Sequence, residues 1–207
     1  MAGKRATGLL PRVFATVEAR PFAGSIYRFI GSQFLASPLS SAGSKLHGGR
    51  FNPPGAFEVL YTALDVETAL AEREGILLAA PGVRLARGVR TGALLRIRCH
   101  LSRVLDLREE RVRERLGLTL ASLLGPWLPW NATSSERGAP AAFAPSQRVG
   151  LAAYESRRFE AILSPSAKDV HGSCLAIFPD RLRRGSRLTI DDPEGVIRAA
   201  LGLGRRE

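Results

Sequence analysis

The residues of this chain that could form a reactive site lie close together in the sequence. They are Arg50, Tyr61 and Glu72, which supply a guanidinium, a phenol and a carboxylate. Arg50 directly follows Gly48 and Gly49, and adjacent glycines let the backbone bend sharply and approach a ligand closely. If the elements that carry the charged and aromatic side chains pack on one another, these groups converge into a candidate binding or catalytic site.

A strand and a helix are predicted to position these side chains. Residues 58–63 are rich in branched and aromatic side chains, which favours a short strand that carries Tyr61. Asp65 can cap the N-terminus of a helix that extends to about residue 80. On that helix Glu72 follows Ala69 by three positions and therefore shares its apolar face. A carboxylate on such a face costs on the order of several kcal/mol unless it is paired or neutralised.

The same residues also allow a purely structural interpretation. Glu72 could be a buried acid that Arg50 neutralises, with Tyr61 packed over the pair, because structural ion pairs also place charge in protein interiors. The functional interpretation instead requires a gap between the guanidinium and the carboxylate. Spacing along the sequence leaves both open.

Charge restricts the partners without selecting one. The net charge is +11, and arginine supplies 27 of the 30 basic residues. Such a field suits a nucleic-acid surface, an acidic protein or an anionic ligand. The sequence shows no helix-turn-helix, zinc-finger or ribonucleoprotein motif, and a general arginine bias on solvated faces explains the same composition.

Hydropathy and cysteine content indicate a cytoplasmic protein. No run of about 18 apolar residues and no signal-peptide pattern occurs, so no membrane partner is expected. Cys99 and Cys174 are far apart and lack metal-ligand spacing. They are interpreted as reduced core residues, and no metal site is predicted.

The order of elements predicts a single α+β (mixed α/β) domain. Residues 1–24 form an N-terminal extension, residues 25–180 the domain, and residues 181–207 a C-terminal extension. Asp192 and Pro193 have the chemistry of a helix start and Gly202 that of a stop, so this extension should contain a short helix. Loops are predicted at 31–45, 81–92 and 131–145.

Three segments resemble the RES-domain family, the toxins of RES–Xre toxin–antitoxin pairs. The first is GGRFNPPGAFEVLYTALDVETALAE, residues 48–72, which is similar to the family's core signature. The second is Tyr27-Arg28, where the family has an aromatic–Arg strand. The third is SQRVGLAAYESRRFEAILSPSAKDVHGSCLAIFP, residues 146–179, which resembles its C-terminal helix, PSA turn and last core strand. One departure is Phe51, where tryptophan is more usual.

The resemblance implies an ADP-ribosyltransferase-like fold, with a curved, split sheet and flanking helices. It implies that NAD is a substrate rather than a cofactor, and that the nicotinamide–ribose bond is broken by hydrolysis or phosphorolysis. In that case Glu72 stabilises the positive charge that develops on the ribose, and Tyr61 bounds the nicotinamide ring. Arg50 and Arg28 hold the diphosphate, and Ser166 of the PSA turn bonds the ribose or a phosphate.

The resemblance also implies an Xre-like antitoxin as protein partner, with nucleic acid bound only through that antitoxin. Several alternatives stay open at this stage. The chain could transfer ADP-ribose to a specific protein, act as a nucleic-acid-binding or ribonuclease-type toxin, or be a catalytically silent interaction domain. The acceptor could be water, phosphate or protein, and a contact of His47 with the ligand is also left open.

Overall fold

A single sheet of seven strands organises the computed structural model, which describes residues 9–79, 92–129, 143–197 and 199–202. The strands run in the order β1-β2-β5-β4-β3-β6-β7, with an additional pairing of β1 with β3. Their bounds are β1 (Arg20–Gly31), β2 (Leu60–Ala63), β3 (Gly92–Asp106), β4 (Ala161–Pro165), β5 (Ser173–Ile177), β6 (Arg187–Ile190) and β7 (Ala200–Gly202).

The sheet curves until five of its strands form a ring. Tyr27 of β1 lies opposite Ala63 of β2 on one edge and opposite Arg96 of β3 on the other. The long strand β3 then pairs with β4 through Val104, and β4 and β2 both pair with β5. Strands β6 and β7 continue from the middle of β3 as a separate wing. The sheet is therefore both curved and split, because β3 divides its edge between β4 and β6.

Alternation along the strands separates two cores. On β5, Leu175 and Ile177 belong to the core that the ring encloses, whereas Ala176 belongs to the core on the outer face. Helices cover that outer face, which also buries Phe51, Phe159 and Phe178. The described helices are α1 (Leu9–Thr16), α2 (Ala42–His47), α3 (Val66–Ala79), α4 (Glu110–Arg115), α5 (Leu120–Leu124) and α6 (Pro145–Glu155).

This architecture confirms the prediction of one mixed α/β domain with a curved sheet and flanking helices. The predicted strand that carries Tyr61 and the helix that carries Glu72 are both present, as β2 and α3. The N-cap of α3 is also as predicted, because the Thr68 amide donates to Asp65 Oδ1 at 2.7 Å. Of the described helices, none is long and apolar enough to cross a membrane.

The short helix predicted near the C-terminus is wrong for the residues that are described there. Asp192 instead closes a turn, since its carboxylate accepts the amides of Glu194 and Ile197 at 3.1 and 2.6 Å. The chain then enters β7, where Leu201 pairs with Leu188 of β6 and packs against the enclosed core. Pairing along an open strand edge outweighs the local helix signal here.

Other boundaries also differ from the predictions. The predicted loop at 31–45 contains a 3₁₀ turn (Ser32–Phe34) and the first part of α2, and Leu39 within it is buried. The proposed N-terminal extension contributes Phe14 and Val17 to the outer core and the first residues of β1. The predicted loops at 81–92 and 131–145 lie almost wholly outside the described residues, as do residues 1–8 and 203–207.

Candidate functional site

Glu72 lies on α3 and is held against the turn that follows β4. Its Oε1 accepts a hydrogen bond from the Ser166 hydroxyl at 2.6 Å and from the Ala167 amide at 3.1 Å. Ser166 Oγ itself accepts the amides of Lys168 and Asp169, each at 3.1 Å. Because these amides occupy the lone pairs of the hydroxyl oxygen, its single proton is directed to Glu72. The turn therefore fixes both the position and the orientation of the carboxylate.

A second contact locks the same turn to the start of α3. The Thr68 hydroxyl donates to Asp169 Oδ2 at 2.7 Å, and Thr68 is fully buried. Gly172 closes the turn, and a Cβ atom there would lie 2.0 Å from Thr68 Oγ1, so no side chain fits. The loop and the helix are thus joined at both Thr68 and Glu72.

Tyr61 lies on β2, and its hydroxyl is hydrogen-bonded to the glycine-rich turn (residues 48–52). The hydroxyl donates to Asn52 Oδ1 at 2.7 Å and accepts the Phe51 amide at 2.9 Å. A Cβ atom on Gly49 would lie 2.5 Å from the phenol oxygen, which explains the glycine at that position. Burial raises the pKa of Tyr61, so the phenol stays neutral. Its ring, rather than its hydroxyl, is the part that remains available to a ligand.

Arg50 extends from the same turn towards the end of α5. Its Nη1 donates to the carbonyl oxygens of Leu123 and Gly125 at 2.9 and 3.0 Å. Burial lowers the pKa of Arg50, and the nearby Glu72, Tyr61 and Cys174 oppose that effect in this order.

Hydrogen bonds join the turn that carries Arg50 to Tyr61, and Cys174 Sγ lies 3.6 Å from Glu72, whose charge acts on the pKa of Arg50. Arg50 and Glu72 nevertheless form no ion pair with each other, unlike the five ion pairs found elsewhere in the described chain. Direct neutralisation of Glu72 by Arg50 is therefore not what the structure contains. The guanidinium is anchored by carbonyl groups, and its charge remains available to an anion.

Arg28 is placed differently from the other predicted site residues. On β1 it shares a face with Ile26 and Ile30, whereas Tyr27 lies on the opposite face beside Ala63. Arg28 Nη1 donates to the Pro38 carbonyl at 3.3 Å, and no ion pair joins it to a carboxylate of a described residue. Burial lowers the pKa of Arg28 to about 10. No hydrogen bond or ion pair of the described residues joins Arg28 to Arg50, Tyr61 or Glu72.

Cys174 was interpreted from the sequence as a core residue, but it contacts Glu72. Its Sγ lies 3.6 Å from Glu72 Oε1, and its side chain is partly exposed. It lies opposite Ala63 on β2, two residues after Tyr61 and on the same face. Only the pairing of β2 with β5 reveals this proximity, so no signal in the local sequence could have found it.

Asn52 and Gln147 form a supporting layer that the sequence interpretation also missed. Asn52 is fully buried, and its Nδ2 donates to the carbonyls of Ser44 and Phe57 at 2.7 and 3.0 Å. Gln147 of α6 donates to the Gly49 carbonyl at 3.1 Å. The amide of Asn52 thereby connects the glycine-rich turn to the phenol of Tyr61. The sequence signal for the supporting role of Asn52 was a polar residue directly after Phe51 in the motif.

A cavity of about 220 Å³ lies elsewhere, lined by residues that include Arg20, Asp106, Glu109 and Arg111. Three of its charged groups pair with one another, since Arg20 and Arg111 each contact Glu109 at 2.7 Å. None of the predicted site residues lines this cavity. It therefore has no part in the candidate site.

The chain belongs to the RES-domain family, whose model matches residues 25–197. A structural relative is found in the crystal structure of the M. tuberculosis MbcT–MbcA toxin–antitoxin complex, with a TM-score of 0.64 and 23% sequence identity. The match covers 94% of this chain and 92% of the other, and it shows that the two share a fold. No curated protein matches this sequence.

Proposed function

We propose that this chain is the toxin of a toxin–antitoxin pair and that it breaks the nicotinamide–ribose bond of NAD. The proposal is supported by membership of the RES-domain family and by the shared fold with a chain of the toxin–antitoxin complex named above. The observation that carries it is the state of Glu72. Its carboxylate is fixed through one oxygen, while Arg50 lies within electrostatic range without neutralising it.

The chemistry accounts for these residue types. As the bond between ribose C1′ and the pyridinium nitrogen breaks, its electron pair leaves with nicotinamide, and positive charge develops on C1′ and the ring oxygen of the ribose. A fixed carboxylate stabilises that charge, so Glu72 acts on the transition state more than on the ground state. Water or phosphate then adds to C1′ and loses a proton, which gives ADP-ribose or its 1-phosphate.

The remaining residues have binding or positioning roles in this proposal. The ring of Tyr61 bounds the nicotinamide, since its hydroxyl is already bonded to the turn. Arg50 binds a phosphate of the substrate, because a guanidinium held by carbonyl groups keeps its full charge. Ser166, predicted to bond the ribose or a phosphate, gives its proton to Glu72 in this structure and therefore positions the carboxylate.

The proposed protein partner is an antitoxin of the Xre type that covers the candidate site and blocks the entry of NAD. Both parts of the proposal can be tested in cells. We expect that expression of this chain alone lowers cellular NAD and arrests growth, and that co-expression with its antitoxin restores both. The Glu72→Gln variant serves as the matched control and should leave NAD and growth unchanged. Growth arrest with a normal NAD pool would contradict the proposal.

A further inference from the structure

Glu72 is bonded unequally at its two carboxylate oxygens. Oε1 accepts the Ser166 hydroxyl at 2.6 Å and the Ala167 amide at 3.1 Å, and Cys174 Sγ lies 3.6 Å from the same atom. No described residue donates to Oε2. A carboxylate with three donors on one oxygen has little freedom to rotate, so its second oxygen is held in one direction.

The third donor reaches Glu72 because of strand register. Cys174 of β5 lies between Ala63 of β2 and Ser164 of β4, and all of these side chains face the same side of the sheet as Tyr61. A thiol within reach of the carboxylate thus depends on the alignment of three strands. A slip of one residue would turn Cys174 to the other face.

The neighbouring Ser164 is a second polar group at this point of the sheet. Its side chain is 1% exposed, and its hydroxyl has no hydrogen-bond partner in the described chain. A buried hydroxyl without a partner costs roughly 1–3 kcal/mol, so packing alone does not favour serine here. Ser164 therefore places a second polar atom beside Cys174 that the stability of the fold does not account for, which points to a functional site.

We propose that Cys174 is a positioning residue for the reaction proposed above: its thiol donates to Glu72 Oε1 and keeps Oε2 directed at the ribose. This inference rests on the proposed function. Cys174 does not touch the reacting atoms and acts only through Glu72. Burial, together with the adjacent Glu72 charge, raises the pKa of Cys174, which keeps the thiol protonated and able to donate.

The test measures nicotinamide release from NAD by the purified full chain and its variants. Cys174→Ala removes the donor, Cys174→Ser retains a donor of similar size, and Cys99→Ala is the matched control on a buried cysteine with no described contact to Glu72. A weak thiol donor supports part of the carboxylate's orientation, so we expect kcat of Cys174→Ala to fall about tenfold with KM within about twofold. Cys174→Ser should stay within about threefold of the parent kcat, and Cys99→Ala should match the parent. Thermal unfolding of each variant checks that it is folded.

Two results for kcat would overturn the inference while leaving the proposed function intact. One is a Cys174→Ala variant with the parent kcat, and the other is a Cys174→Ser variant that loses as much kcat as Cys174→Ala, which would indicate packing rather than donation. If the parent itself releases no nicotinamide, the proposed function fails first and the role of Cys174 fails with it. A rise in KM alone for Cys174→Ala would also contradict a role that acts through Glu72.

Discussion

Replacement of Glu72 by glutamine removes one negative charge and keeps the shape of the side chain. The amide oxygen can take the place of Oε1 and accept the Ser166 hydroxyl and the Ala167 amide, as the carboxylate does. The turn after β4 should therefore remain attached to α3. We expect the free energy of unfolding to change by no more than about 1 kcal/mol, the usual scale for a single hydrogen bond.

The effect on catalysis should be much larger. A carboxylate oxygen about 4 Å from a developing unit charge contributes about 4 kcal/mol at an effective dielectric constant of about 20. Since about 1.4 kcal/mol corresponds to a tenfold change in rate, the loss of this charge should lower kcat about a thousandfold. KM should change little, because the positive charge on the ribose exists mainly in the transition state.

The assay is the initial rate of nicotinamide release from NAD by the parent, by Glu72→Gln and by Glu67→Gln. Glu67 is an exposed acid in the first turn of the same helix and makes a matched control. Glu67→Gln should keep the parent rate within about twofold, since solvent and salt screen the charge of an exposed side chain. A Glu72→Gln variant that is folded and within about threefold of the parent kcat would refute the role given to Glu72.

Three further predictions concern stability and binding. Glu160 is fully buried, and its carboxylate accepts the backbone amides of residues 102, 103 and 183. Glu160→Gln should therefore lower the free energy of unfolding by about 3 kcal/mol and the melting temperature by about 9 °C, as measured by calorimetry. Burial alone would raise the pKa of Glu160, but the hydrogen bonds from Ser186, Arg183, Ser102 and Arg103 lower it below its ordinary value. The charged carboxylate therefore stabilises the fold above the ordinary carboxyl pKa, and this stabilisation is lost as pH falls through the lower pKa of the folded state. The parent should lose more stability on acidification than Glu160→Gln does. Gly150→Ala should unfold at a lower temperature than the parent, because its Cβ would lie 1.8 Å from the Phe51 carbonyl oxygen. Gly43→Ala, whose Cβ would have nothing within 4 Å, should be stabilised by about 0.5–1 kcal/mol. Equal melting temperatures for the two variants would contradict this packing. The family resemblance implies that Arg28 holds the diphosphate of NAD. In that case Arg28→Met should raise KM about 30-fold, the equivalent of a charged hydrogen bond of about 2 kcal/mol, and an unchanged KM would remove Arg28 from the substrate site.

The elements that carry Tyr61 and Glu72 were predicted correctly because the signals for them are local in the chain. Tyr61 and Glu72 belong to a strand and a helix joined by a short connection, and the composition of each element was sufficient to predict it. The Asp65 cap fixes where the helix begins, which in turn determines the direction in which Glu72 points. The proximity of Arg50 to Tyr61 could be predicted because Arg50 belongs to the glycine-rich turn, and this turn is hydrogen-bonded to Tyr61.

The part that the sequence did not predict depends on strand register and on long-range packing. Cys174 reaches Glu72 only because β5 pairs with β2 in a particular alignment, and a local pattern carries no information about that alignment. The face on which Arg28 lies likewise depends on how β1 joins β2. At the C-terminus, the helix signal of Asp192 and Pro193 was overridden because β6 offers an edge that β7 can pair with.

Cleavage of NAD by this chain between nicotinamide and ribose is tested most directly by product identification. Purified protein is incubated with NAD, with and without phosphate, and the products are separated and identified by mass spectrometry. We predict the release of one nicotinamide for each NAD consumed, together with ADP-ribose in the absence of phosphate or its 1-phosphate in its presence. Nicotinamide release with ADP-ribose attached to protein would instead identify a transferase that uses the same bond cleavage. Intact NAD after prolonged incubation with the folded protein would contradict NAD cleavage by this chain.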